Sequence, residues 1–312
     1  MLLDLAILPE VFEPAAYSDP ALCGHLLKVL KPVLFEDAVV RDMRNGGWSQ
    51  WMRKSAGKCH HATGEIVEAL IKQRRLGLFP PALPDEPEDS LTWCYEALAT
   101  HKIAALTAII CGNGVAADFE NDDLVQALEK VHESDWYKNR ACSVRLRRQS
   151  ADYAKTLRVP LKWCNSAMFI DPYLEPSRPY YAEFYRILDL LRGRLVPAQI
   201  ELHRCAHEGS GRDRRILPMG DVQTMFASLD TYLSGANMKA TVYVWDAFHD
   251  RYLVTNHVGM VIPNGFDFSP DVNELTTWTR LSAKDREDVQ REFDPASHRH
   301  NLKFCFEIGK TV

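Results

Sequence analysis

Lys239 to Phe268 reads KATVYVWDAFHDRYLVTNHVGMVIPNGFDF, three apolar runs around one polar insertion. Thr241 to Trp245, Tyr252 to Thr255 and Val258 to Ile262 are short, rich in β-branched and aromatic residues, and bounded by charged or turn-forming residues. That pattern predicts buried strands. The insertion centres on His249-Asp250-Arg251, so these polar side chains are expected at a strand end facing a cleft. A histidine placed there is a candidate for chemistry.

Working back from this stretch, strand and helix patterns alternate. Ser166 to Ile170 predicts a strand ending in Asp171-Pro172-Tyr173, and Pro179 to Leu191 a helix with Tyr181, Phe184, Ile187, Leu188 and Leu191 inward. Ala198 to Leu202 predicts the next strand, Asp221 to Leu233 the next helix and Thr241 to Val244 the next strand. This β-α-β-α-β series indicates an α/β sheet flanked by helices. Ligands of such sheets bind beyond the carboxyl ends of the parallel strands. Three polar groups are expected there: Asp171 with Tyr173; Glu201 with His203 and Arg204; Asp246 with His249 and Arg251. The loop HRCAHEGSGRDRRILPMG, from His203 to Gly220, adds His207, Arg212, Arg214 and Arg215 between glycines. Guanidinium groups match phosphate oxygens in paired hydrogen bonds, which suits a phosphate ligand. A solvated surface loop is the alternative reading.

Towards the amino terminus, residues 1–102 read as a mainly helical region and residues 103–312 as the α/β domain. Leu22, Leu26, Leu27 and Leu30 fall at helical spacing, as do Ile66, Leu70 and Ile71. Between them lie Arg41, Arg44, Trp48, Trp51, Met52, Arg53 and Lys54. These suit a module that docks a protein partner or nucleic acid, or else a helical cap with core tryptophans and solvated charges. Phe79 to Asp89 holds four prolines and four acids, a loop. Ala105 to Cys111 predicts a strand, and Asp122 to Val131 and Gln149 to Leu157 predict helices.

Composition excludes several classes. The chain has 312 residues, 46% hydrophobic and 25% charged, enough for one large or two smaller domains. A net charge of −5 provides no global basic field, so nucleic-acid binding would need a local patch. One candidate patch is Arg140, Arg145, Arg147, Arg148, Lys155, Arg158 and Lys162, interleaved with Tyr153, Trp163 and Tyr173. No apolar run is long enough to span a bilayer, and no basic amphipathic helix offers stable membrane attachment. MLLDLAILPEVFEP lacks a basic start and carries Asp4, unlike a signal peptide. Eight scattered cysteines with no CxxC pair suit reduced thiols in a cytoplasm. Cys59-His60-His61 and His298-Arg299-His300 place metal-ligand types together, but not at the paired spacing of a zinc site, so no metal and no cofactor is expected.

The run Met168 to Leu174, the helix after it, HDRYLVTN and VGMVIPNGFDF resemble the phospholipase-D-like superfamily. They are most similar to the C-terminal domain of MIT-domain proteins and bacterial relatives. Its signature is His-x-Lys, four residues, Asp, six residues, Gly-Ser and an Asn three beyond the Ser. Here His249 keeps the histidine; Arg251 stands at the lysine, Asn256 at the aspartate, Pro263-Asn264 at Gly-Ser and Asp267 at the last Asn. The resemblance spans roughly residues 104 to 312.

In active members a histidine attacks phosphorus, a second histidine protonates the leaving oxygen, and cations stabilise the transition state. Carried over, His249 would be the nucleophile and Arg251 the stabiliser, with Asn256 in support. The family joins two motif copies, so a homodimer, or His203 as internal general acid, would complete the site. Asp171, Tyr173, Glu201, Arg204, Arg212, Arg214 and Arg215 would bind substrate. Two functions stay open: a nuclease-like phosphodiesterase, and a non-catalytic scaffold for phosphate, nucleic acid or phospholipid that docks a partner protein. The bacterial relatives imply a cytoplasmic component acting on nucleic acid, in antiviral defence.

Overall fold

The computed structural model describes residues 1–14, 18–54, 61–194, 196–209 and 214–310. Cys59, His60 and Arg212 lie outside these described residues. The chain forms two compact units, Leu2–Arg140 and Ala141–Val312, with Met1 grouping with the second. The boundary therefore falls after residue 140 instead of residue 102.

Residues 1–102 are rich in helix, as expected, but the first unit also holds a parallel sheet that the sequence reading did not find. Among the described residues its strands are β1 (Leu3–Ile7), β2 (Ala38–Asp42), β3 (Leu76–Leu78), β4 (Ala108–Cys111) and β5 (Val125–Ala127). They pair in parallel in the order β3-β2-β1-β4-β5. Ala105 to Cys111, expected to open the second domain, belongs to this sheet. Val125–Ala127 with the 3-10 turn Leu128–Glu133 replaces the helix expected over Asp122 to Val131. Strands this short carry little periodicity, and β1 and β2 also hold charges. Asp4 and Arg41 form a fully buried ion pair, Oδ2 to Nη2 2.6 Å, and Arg41 also donates to Thr100 Oγ1 and the Ala104 carbonyl. The polar loop before Ser90 is present and ends in a cap: the Asp89 carboxylate accepts from Thr92 N–H and starts the helix Ser90–Ile103. Trp48 is fully buried against Phe12, so it is core and does not form a docking surface.

Among the described residues the main sheet of the second unit has eight strands: β6 (Ser143–Arg147), β7 (Ser166–Ile170), β8 (Gln199–Cys205), β11 (Lys239–Trp245), β12 (Tyr252–Thr255), β13 (Gly259–Val261), β14 (Leu275–Arg280) and β15 (Leu302–Gly309). A two-stranded ribbon, β9 (His207–Glu208) and β10 (Arg215–Ile216), stands apart from them. The sheet order is β15-β11-β8-β7-β12-β13-β14-β6. β7, β8 and β11 are adjacent and parallel, as their continuous apolar runs predict, and the flanking strands are antiparallel. Both faces are covered. Ala167 and Phe169 point to a core shared with the helices Ser150–Trp163 and Met219–Gly235, while Met168 and Ile170 point to a second cluster containing Val289 and Phe293. Pro179 to Leu191 buries the expected side chains, but as two 3-10 turns around the short helix Tyr185–Leu188. Among the described residues no helix is long and apolar enough to cross a membrane.

Candidate functional site

The carboxyl ends of β7, β8 and β11 lie side by side, since Ile170 pairs with His203 and Trp245 with Cys205. The start of β12 joins them, because Tyr252 pairs with Ile170. This edge carries Asp171, Tyr173, Arg204, His207, Asp246, His249 and Arg251. A depression of about 270 Å³ opens here, lined by Tyr173, Glu175, Arg178, Arg204, His207, Glu208 and Gly209.

Arg204 is the side chain that most needs explaining. It is only 2% exposed. Its guanidinium donates to the Cys205 carbonyl at 3.0 Å and the Leu174 carbonyl at 3.3 Å, and Nη1 touches Met225 Sδ at 3.0 Å. No carboxylate contacts it among the described residues. Burial pulls its pKa below the ordinary guanidine value, yet arginine keeps its proton in proteins. A buried cation with no carboxylate in ion-pair contact is costly; the charges of Glu175 and Asp171 act against that cost from nearby, and the guanidinium stands on the wall of a cavity.

His207 is the second feature. Its Nδ1 lies 2.9 Å from the Asp246 carbonyl, which can only accept, so Nδ1 carries the proton and donates. Arg214 Nη2 lies 3.0 Å from the same nitrogen; it cannot donate to an N–H and acts there as a nearby positive charge. Nε2 is left as the lone-pair nitrogen, with no partner among the described residues. Burial holds His207 below the usual imidazole range, and the charges of Arg214 and His249 act in the same direction against the Asp246 carbonyl.

Around these two groups the charges are paired. Arg178 bridges Glu175 at 2.7 Å and Glu208, and Arg215 reaches Glu208 at 3.3 Å. Arg251 stacks its guanidinium 5.4 Å from the centre of the Tyr173 ring. Its Nε is 3.7 Å from Asp171 Oδ1.

Asp171, expected to bind substrate, is instead a fully buried tie. It accepts from Tyr173 N–H at 3.0 Å, Phe266 N–H at 3.1 Å and Tyr181 O–H at 3.0 Å. Burial raises its pKa above the usual carboxylate range, against those hydrogen bonds and the Arg251 charge. Gly265 is obligatory beside it: at φ +69° an added Cβ would lie 2.0 Å from Asp171 Oδ2.

Three further expectations fail on geometry. His203 cannot be a general acid in the cleft. Alternation along β8 puts it on the opposite face from Arg204, fully buried, with Tyr243 and Trp245 stacked on it and the Phe293 edge against it. Its Nδ1 accepts from Trp245 Nε1–H at 3.0 Å and its Nε2 lies 3.3 Å from Glu201 Oε2. Glu201 therefore serves His203 and Gln199 within the strand and does not line the cleft. Asn256 sits at the far end of β12 from Arg251, on the order of 15 Å along the strand, where its Oδ1 accepts from Asn165 N–H at 2.7 Å. His249 is exposed at the rim. The spacing of the family signature thus does not bring its members together.

The basic segment is also displaced from the cleft. β6 is the far edge strand, with Arg147 paired to Asp152 at 2.8 Å and Arg148 to Asp267 at 2.7 Å and to Glu274. Sequence reading found Arg204 and His207 but not Arg178, Glu175 or Glu208. The first two of these lie in an irregular turn after Tyr173, and only its carboxylate and arginine content signalled anything.

Among the described residues the thiols are unpaired. Burial pushes Cys94 up to about 12, and Cys164 and Cys205 each up to about 11, so none of these three is a reactive thiolate.

No family model matches the chain, and no curated protein matches it. Among solved structures it is similar to TrmBL2, an archaeal chromatin protein whose structure shows a novel mode of DNA binding. The identity is 10% and the TM-score 0.30, over 78% of this chain and 82% of that one. A likeness at that score carries no argument about function.

Proposed function

We propose that the second unit is a phospholipase-D-like domain that binds phosphate-containing polymers, nucleic acid foremost, at the carboxyl edge of β7, β8 and β11. The observation that carries this reading is Arg204: a buried guanidinium on the wall of a cavity, with no carboxylate in ion-pair contact among the described residues. A phosphate oxygen would give Arg204 a direct anionic contact through a charge-assisted hydrogen bond. Exposed Arg214 and Arg215 and the Arg251–Tyr173 stack surround it with further cations and one aromatic face. The helix Met219–Gly235 begins at the same edge, where Leu217 N–H donates to the Ala206 carbonyl, and its amino end favours an anion nearby.

Binding is favoured over hydrolysis because His203, the second histidine the phosphodiesterase reading calls on, is fully buried on the face of β8 opposite Arg204. The test is fluorescence anisotropy with single-stranded DNA, single-stranded RNA, duplex DNA and phosphoinositide vesicles over a salt series. Salt-dependent binding to a nucleic acid is expected. Binding to vesicles alone, or to nothing, overturns the reading.

A further inference from the structure

The depression is small for a polymer groove. At about 270 Å³ it lies just below the usual range of small-molecule pockets, roughly 300–1,000 Å³. Its anion-seeking group, Arg204, is 2% exposed. An internal phosphodiester carries a sugar on each side of its phosphorus, whereas a terminal phosphate presents three unencumbered oxygens and can enter. The walls add to this. Glu175 and Glu208 flank Arg178, so a strand continuing through the depression would bring its next phosphate against carboxylates.

His207 supplies a chemical discriminator. With Nδ1–H given to the Asp246 carbonyl at 2.9 Å, Nε2 is an acceptor. A phosphomonoester near neutral pH still holds a P–OH in part of its population, because its second ionisation falls near pH 6. A diester has no such proton. The pairing of a cation with a neutral acceptor nitrogen matches a monoester monoanion and leaves Nε2 unsatisfied by a diester. Tyr173, 44% exposed and on the same wall, offers a face for the terminal base.

We infer that this depression recognises the terminal phosphomonoester of a nucleic-acid strand, with Arg204 as the anion anchor and His207 as the acceptor that distinguishes monoester from diester. The inference rests on the nucleic-acid reading above and narrows it to strand ends.

The test compares one single-stranded DNA sequence in three forms, with a 5′-phosphate, a 3′-phosphate or no terminal phosphate, each binding the full chain at fixed salt. One phosphorylated form should bind roughly tenfold more tightly than the unphosphorylated strand. Inorganic phosphate should remove that increment without abolishing residual binding. Arg204→Met and His207→Phe should each erase the increment, and the wild-type comparison decides the matter even if a variant misfolds. Equal affinity for all three forms overturns the inference and leaves the broader reading standing, while failure of all three to bind overturns both. An increment with a free mononucleotide or phosphatidic acid vesicles but none with a phosphorylated strand also overturns it.

Discussion

Replacing Gly265 with alanine is expected to destabilise the second unit through one side chain, Asp171. The new Cβ would sit 2.0 Å from Asp171 Oδ2 and 2.7 Å from its Cγ, in a left-handed backbone at φ +69°. The backbone term costs about 1–2 kcal/mol. The carboxylate must also swing away from Phe266 N–H or Tyr181 O–H, now at 3.1 and 3.0 Å, and one lost hydrogen bond to a charged group costs about 1.5–3 kcal/mol. The sum is about 2.5–5 kcal/mol. Urea unfolding, with hydrogen exchange on β7 and β12 used to assign the transition to this unit, measures it. In an Asp171→Ala background the carboxylate is gone and only Arg251 Cδ, on a flexible side chain, stays close at 3.2 Å, so alanine at 265 should cost little beyond the backbone term of about 1–2 kcal/mol. A cost under about 1 kcal/mol in the wild type, or equal costs in both backgrounds, would refute the tie.

Other outcomes follow from the same contacts. Arg204→Met should leave the unit folded with a urea midpoint close to wild type, since relief of the buried charge offsets the lost hydrogen bonds to the Cys205 and Leu174 carbonyls. Its nucleic-acid affinity should nevertheless fall roughly tenfold. His203, held below the usual imidazole range by burial against its Glu201 contact, should make the second unit acid-sensitive. Its unfolded form binds a proton near pH 6.5 that the folded form resists, so stability is full above that pH and declines as pH falls towards the depressed folded value. Urea midpoints from pH 8 to pH 5 measure this, and a midpoint that stays level, or the same decline in His203→Gln, would contradict it. In the first unit, Arg41→Met strands the buried Asp4 carboxylate and should cost about 3–5 kcal/mol; a urea midpoint matching wild type would show the pair to be dispensable.

The legible part of the fold was the part with long apolar strands. β7, β8 and β11 are buried on both faces and read as continuous hydrophobic runs, so their parallel arrangement followed from the alternation with helical segments, while the strand order did not. The first unit's sheet escaped because its strands are three to five residues long and two of them carry a buried ion pair where periodicity expects apolar side chains. The site was legible as a location. Adjacent residues on a strand face opposite ways, and nothing in the order His203-Arg204 tells which one meets the cleft; packing by Phe293 on one side and Met225 on the other decides it. Asn256 shows the same limit in another form. Five positions from Arg251 along an extended strand is too far for shared chemistry, and only knowing that the strand runs unbroken between them reveals this.

The central claim places a phosphate against Arg204, and a co-crystal of the protein with a selenophosphate-labelled single strand locates that group directly. An anomalous selenium peak within hydrogen-bonding reach of the Arg204 guanidinium is the predicted result. A peak along β6 beside Arg145, with the depression bounded by Tyr173 and His207 empty, would contradict it.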